Sequence, residues 1–170
     1  MNNELTFRFA TESDTGLILS FIKKLAEYEK KIDEVVATEE SLREWIFDKQ
    51  RAEVLFALLG GKEIGFALYF YNFSTFLGKA GLYIEDLFIL PEFRRKGYGR
   101  LIFAQLARIA NEQGCGRIDW WCLDWNRPSI DFYLSLQAKP MEEWTVYRLA
   151  GDTMRKMAGE ETPKPAPDGI

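Results

Sequence analysis

The sequence predicts an α/β (α+β) fold in which a mixed sheet carries helices on both faces. Three observations point there. Stretches that read as strands and stretches of helical period follow in the order β-α-α-β-β-β-α-β-α-β. A strand over Leu82–Leu90 runs into a basic glycine loop and then a helix. The 170 residues are 47% apolar and 28% charged, which suits one globular domain with a sizeable core.

The first strand is Leu5–Ala10, where Leu5, Phe7 and Phe9 alternate with Thr6 and Arg8. Ser13 or Asp14 caps a helix with Leu17, Phe21, Leu25 and Tyr28 along one side. Thr38-Glu39-Glu40-Ser41 is a capping-box-like start for a second helix through Trp45. Val54–Leu59, Gly60-Gly61 and Ile64–Tyr71 read as a two-stranded hairpin. Phe73–Lys79 is a loop before the central strand, Leu82–Leu90. Pro91 ends that strand because it has no N–H for a ladder.

Behind the loop, Ile102, Leu106, Ile109 and Ala110 share one helical face, and Gly114 is placed to end the helix. Arg117–Leu123 is a further strand. Asn126 caps a short helix that tolerates Pro128 in its first turn, with Ile130, Tyr133 and Leu134 on one face. Trp144–Leu149 reads as a last strand and Asp152–Ala158 as a closing helix. Residues 1–158 are expected to form a single domain. The proline-rich tail, 159–170, has little to bury and is expected to be disordered.

The loop points to an anion. The first N–H groups of a helix lack internal partners, and the helix dipole is positive there. Gly97 and Gly99 remove side chains that would hold an anion off the backbone. Arg94, Arg95, Lys96 and Arg100 add four cations in seven residues, in a chain of net charge −4. A phosphate or pyrophosphate fits such a site. The loop lacks the G-x-x-x-x-G-K-[ST] of nucleotide-triphosphate loops. It also lacks the third glycine of the dinucleotide fingerprint, since Ile102 stands there.

Composition excludes other chemistry. There is no histidine, which removes the usual general base, the Ser–His and Cys–His pairs and the commonest metal ligand. Acid–base work falls to Asp, Glu, Tyr, Lys or Cys. Cys115 and Cys122 make no zinc spacing or disulfide framework, and no metal is expected. No apolar run is long enough to span a membrane and no leader pattern is seen, so a cytoplasmic location is expected. The acidic balance speaks against a nucleic-acid partner and suits a cationic one.

Arg94-x-x-Gly97-x-Gly99 resembles the acyl-CoA pyrophosphate loop of the GNAT superfamily of N-acetyltransferases, [QR]-x-x-G-x-[GA]. Ile22–Glu29, Tyr83–Phe88 and Trp125–Tyr133 are similar to the spermidine/spermine (diamine) and thialysine N-acetyltransferase branch. The likeness spans roughly residues 5–158. The stretch between the first helix and the hairpin looks shorter than in those enzymes. The resemblance implies a mostly antiparallel mixed sheet of six to seven strands and a homodimer. It implies acetyl transfer from acetyl-CoA to a primary amine, such as a polyamine or a thialysine-like amino acid.

Position by position, the resemblance implies that backbone groups of Leu87, Phe88 and Ile89 hold the pantetheine arm. Arg94, Arg95, Lys96, Gly97, Tyr98, Gly99 and Arg100 would take the pyrophosphate, and Asn126 and Ser129 would contact CoA. Glu85 would lie beside the acceptor amine and Tyr133 beside the CoA sulfur. Tyr28, Glu29, Asp119, Trp120 and Trp121 match acceptor-lining positions. The chemistry agrees. An alkyl ammonium of pKa ~10.4 must lose a proton before it attacks a thioester, and Glu85 is a candidate acceptor. A tyrosine O–H of pKa ~10 can protonate the departing thiolate without a histidine. By its helix face alone, Tyr133 reads more often as core than as catalytic, and the tryptophans read first as core or interface. Two alternatives stand beside this reading. One is a protein lysine or N-terminal acetyltransferase, and the other a non-catalytic acyl-CoA sensor.

Overall fold

The computed structural model describes residues 4–160. They divide into two compact units that meet in sequence between Ile130 and Asp131. The first unit holds one five-stranded sheet in the order β1-β2-β3-β4-β5. Its strands are β1 (Leu5–Phe9), β2 (Glu53–Leu59), β3 (Lys62–Ser74), β4 (Lys79–Ile89) and β5 (Ile118–Trp120). The first four pair antiparallel, and β5 runs parallel to β4. The sheet is mixed and mostly antiparallel, but it has five strands among the described residues and not six to seven.

The difference falls at the C-terminal end. Trp144–Leu149 alternates like a strand but makes no ladder, and Val146, Tyr147 and Leu149 are exposed. Period-two patterning describes one chain segment, whereas a strand also needs a neighbour with matching free N–H and C=O groups. β5 is shorter than the expected 117–123 for the same reason. β4 starts earlier than expected because Asn72, Phe73 and Ser74 pair with Gly81, Ala80 and Lys79. The loop there shrinks to 75–78.

Helix α1 (Thr15–Tyr28) lies on one face of the sheet. Phe56, Phe66 and Phe88 are cross-strand neighbours in register and therefore share that face. The Phe21 ring meets all three, stacked on Phe66 at 5.2 Å. Ile18, Ile46 and Val54 complete the cluster. Each fully buried aromatic here contributes roughly 1.5–3 kcal/mol of burial free energy. Arg8 on β1 ties α1 to the sheet. Its guanidinium pairs with Asp14 at 2.8 Å and with Glu63 at 2.7 Å, which holds the Asp14 carboxyl down at about 2.

Helix α3 (Tyr98–Glu112) covers the other face with Ile102, Leu106, Ile109 and Ala110, the residues its period picked out. Gly114, at φ 68, ends it. The Thr38–Ser41 capping box is present and opens α2 (Glu39–Leu42), which continues as a π-type turn over Arg43–Asp48. Gly60 and Gly61, both at positive φ, make the hairpin turn between β2 and β3.

Helix α4 (Arg127–Ser135) crosses the unit boundary. The second unit contains its last turns and α5 (Gly151–Met157), which carries an Arg155–Asp152 ion pair. The expected disordered tail, from residue 161 on, lies outside the described residues. No helix among the described residues is long and apolar enough to cross a membrane.

Candidate active site

Two irregularities of β4 shape the site. The first is a bulge. Leu68 pairs with Asp86 while Tyr69 pairs with Ile84, so Glu85 is the extra residue without a partner on β3. A bulge re-aims side chains, and Glu85 is exposed. The second is a parting of strands. The β4–β5 ladder ends at the Ile84–Trp120 pair, whereas β4 continues to Ile89. Beyond Ile84, that edge of β4 has no strand partner among the described residues. Alternate residues of the strand, Leu87 and Ile89, turn their backbone groups to this free edge, where an extended ligand can pair with them.

The basic loop follows. Pro91–Phe93 forms a 3₁₀ turn, and the chain then passes through two left-handed residues, Arg95 (φ 59) and Gly97 (φ 83). Gly97 is the N-terminal cap of α3, and its carbonyl accepts from Arg100 N and Leu101 N. The amides of Tyr98 and Gly99 are thus the first of the helix, where no intrahelical acceptor exists. Lys96 and Gly97 are exposed, and a side chain at Gly97 would meet nothing within 4 Å, so the cradle is open to an anion. Arg95 and Arg100 are exposed on the same loop. These residues fit a phosphate-bearing cofactor.

Arg94 is placed differently. Its Nε donates to the Ile89 carbonyl at 2.8 Å. Its guanidinium carbon lies 4.7 Å from the Tyr28 ring centre and 4.9 Å from that of Phe88. It braces the end of β4 against the end of α1.

Around that end of α1 three carboxylates gather. Asp86 is opposite Leu68, on the face that carries α1, and is largely withdrawn from water. Burial, then the charges of Glu85 and Glu29, push its carboxyl up to about 7. Burial also raises the Glu29 carboxyl, with Lys31 opposing. Asp86 follows Glu85 in an otherwise apolar strand, which by itself leaves it open between structure and function. The sign that it belongs to this group is the bulge, which only strand pairing reveals. Burial raises the Cys122 thiol too, helped by Glu29 and Asp124, so it is a poor nucleophile.

The residues expected to line an acceptor do not all converge. Asp119 pairs with Tyr83 across β5 and β4, and its carboxylate is 2.6 Å from Arg117 Nε, so its charge is already matched. Trp121 meets the Tyr83 ring edge-on at 5.9 Å, and Tyr83 packs on Phe70 at 4.9 Å. Phe70 and Tyr83 are aromatic neighbours of the site that the sequence did not single out. Trp120 pairs with Ile84 and turns to the opposite face, edge-on to Phe103 of α3 at 5.1 Å.

Tyr28 meets Trp125 at 6.1 Å, and its hydroxyl donates to Asn126 Oδ1 at 2.9 Å. Ser129 N donates to the same oxygen at 3.4 Å and to the Asn126 carbonyl at 3.0 Å, so Asn126 caps α4 as expected. Tyr133 lies in the second unit, its ring 5.6 Å from Phe132. The described residues contain no group of three or more side chains that could hold a metal ion.

A parted β4–β5 pair beside an arginine–glycine loop at a helix start suits an extended, phosphate-bearing ligand, and comparison with known proteins gives the class of enzyme. The acetyltransferase (GNAT) family pattern matches residues 20–137, and the chain belongs to that family. It is similar to a thialysine N-epsilon-acetyltransferase of Bos taurus, 37% identical over 165 residues, covering 90% of this chain and 96% of that one. It is also similar to an L-ornithine N5-acetyltransferase of Arabidopsis thaliana, 43% identical over 91 residues, covering 54% of this chain and 40% of that one. Among solved structures it resembles an integron cassette protein from the mobile metagenome of V. cholerae. The TM-score is 0.75 and the identity 28%, over 91% of this chain and 97% of that chain. The protein is an acetyltransferase enzyme.

Proposed function

We propose that this enzyme transfers an acetyl group from acetyl-CoA to a primary amine of a small cationic substrate, a polyamine or a thialysine-like amino acid, by direct attack on the thioester. The observation that carries the proposal is the unpaired edge of β4 at Leu87–Ile89, continuing into the left-handed Arg95–Gly97 turn. In this reading the β4 edge takes the amides of the pantetheine arm as an added strand. The Arg95–Arg100 backbone and cations take the pyrophosphate. Two relatives named for acetylating a side-chain amine of a diamino acid support the acceptor class.

The proton balance follows from the residues. An alkyl ammonium gives one proton to a carboxylate of the Glu85–Asp86 pair, through water. The free amine attacks the carbonyl carbon and forms the C–N bond. The tetrahedral nitrogen loses its second proton to water and the C–S bond breaks; the leaving sulfur takes a proton from the Tyr133 hydroxyl, and water returns a proton to the tyrosinate. Glu29, at the end of α1, holds a distal positive charge of the acceptor. The reading includes a cytoplasmic location and a homodimer, and for the homodimer the exposed apolar residues of Trp144–Leu149 offer a surface to a second copy.

Calorimetry with CoA tests the cofactor half. Gly99→Val should abolish measurable binding in a folded protein. Lys96→Ala should weaken it only slightly, since one exposed charge is worth ~1 kcal/mol or less. Unchanged affinity in Gly99→Val would remove the reading. Tyr133→Phe should bind acetyl-CoA normally yet turn over roughly 10²-fold more slowly, the loss expected for a general acid.

A further inference from the structure

We infer that the Tyr28 hydroxyl is a positioning group for the Asn126 amide, fixing which end of that amide is offered to the bound acyl-CoA. The inference rests on the acyl-CoA reading above and replaces the expectation that Tyr28 serves the acceptor amine.

Asn126 is 6% exposed, so its amide must be matched by fixed partners. Ser129 N faces one end of that amide, and a backbone N–H only donates. The facing atom is therefore the oxygen, Oδ1, and the Tyr28 hydroxyl at 2.9 Å must be a donor to it. A flipped amide would set its NH₂ against Ser129 N–H, donor against donor. With Oδ1 engaged twice, the Nδ2 hydrogens are the part of the side chain left to donate to an acceptor on the cofactor.

The hydroxyl can hold the amide because the ring itself is held. The Arg94 guanidinium lies over it, and Arg94 is tied to the Ile89 carbonyl. Trp125 packs against it. Ile89, Arg94, Tyr28 and Asn126 thus form one connected series. It runs from the unpaired end of β4 to the start of α4, the two segments proposed to hold acyl-CoA. A tyrosine whose hydroxyl is engaged in this way has no hydrogen left to donate to a substrate.

The test is a two-residue cycle with three readouts: the calorimetric Kd of CoA, the KM of each substrate and the melting temperature. Tyr28→Phe keeps the ring under Arg94 and removes only the hydroxyl. It should weaken CoA binding ~3- to 10-fold, the range of one neutral hydrogen bond, with the amine KM unchanged. In an Asn126→Ala background, Tyr28→Phe should have no further effect on CoA affinity. Asn126→Asp keeps an oxygen for Ser129 N and for the tyrosine hydroxyl and caps as well as Asn, but it lacks Nδ2 hydrogens. It should keep the melting temperature and lose CoA affinity. A Tyr28→Phe protein with altered amine KM and parental CoA affinity would overturn the inference. So would additive effects in the cycle, or an Asn126→Asp protein that binds CoA like the parent. A parent that gives no heat with CoA would overturn the acyl-CoA reading itself, and this inference with it.

Discussion

Arg94 Nε donates to the Ile89 carbonyl at 2.8 Å, joining the first basic residue of the loop to the last residue of the strand before it. A guanidinium stacked between Tyr28 and Phe88 and bonded to a carbonyl works as a brace. Arg94→Lys keeps the charge but not the planar stack. It should lower stability by roughly 1.5–3 kcal/mol, the range for a hydrogen bond to a charged group. Arg95→Lys, at an exposed position, should change stability by less than about 0.5 kcal/mol. Chemical denaturation of the two variants measures the difference. Equal stabilities would return Arg94 to the role of a simple loop cation.

Asp86 gives a pH signature. Its carboxyl titrates at about 7 in the folded chain against an ordinary 3.8. Between those values the folded state holds a proton that the unfolded state has lost. Stability from this group is therefore greatest below the unfolded value and falls as pH rises toward 7. Asp86→Asn removes that loss. Melting curves should show the variant gaining on the parent from about pH 5 to pH 8, by at most ~3 kcal/mol, the two units between pH 5 and 7 at ~1.4 kcal/mol each. A difference that does not vary with pH would mean that Asp86 is ionised throughout.

Much of this was legible because it is local. The Thr38–Ser41 capping box, the Gly60-Gly61 turn, and the face of Ile102, Leu106, Ile109 and Ala110 each depend on residues within a turn or two of one another. What the sequence hid depends on pairing. Glu85 becomes a bulge only because Leu68 and Tyr69 straddle it, and β5 stops at Trp120 only because its ladder with β4 does. Trp120 and Trp121 are adjacent in sequence, yet the two-residue period sends them to opposite faces, against Phe103 and Tyr83. Tyr28 matched an acceptor-lining position, but its partner Asn126 is 98 residues away.

Glu29 should separate diamines from monoamines. Half-withdrawn from water at the end of α1, it is proposed to hold the distal charge of the acceptor and not the reacting nitrogen. Glu29→Gln should raise KM for a diamine well above its effect on a monoamine of equal length, with kcat little changed, because distal binding is uniform along the reaction. Added salt should shrink the difference, since screening acts over ~10 Å at 0.1 M. Steady-state kinetics on the two amines decides it. Equal KM changes would remove Glu29 from the acceptor site.

The central claim is acetyl transfer to a small cationic amine. It is tested most directly by incubating the purified full chain with acetyl-CoA and, in parallel, thialysine, a polyamine, lysine and lysine-containing peptides. Thiol release and the mass of the acetylated product are then measured together. The account predicts CoA release matched one for one by N-acetyl product with thialysine or the polyamine, and little turnover of peptides. Turnover confined to peptides, or CoA binding without any acetylated amine, would contradict it.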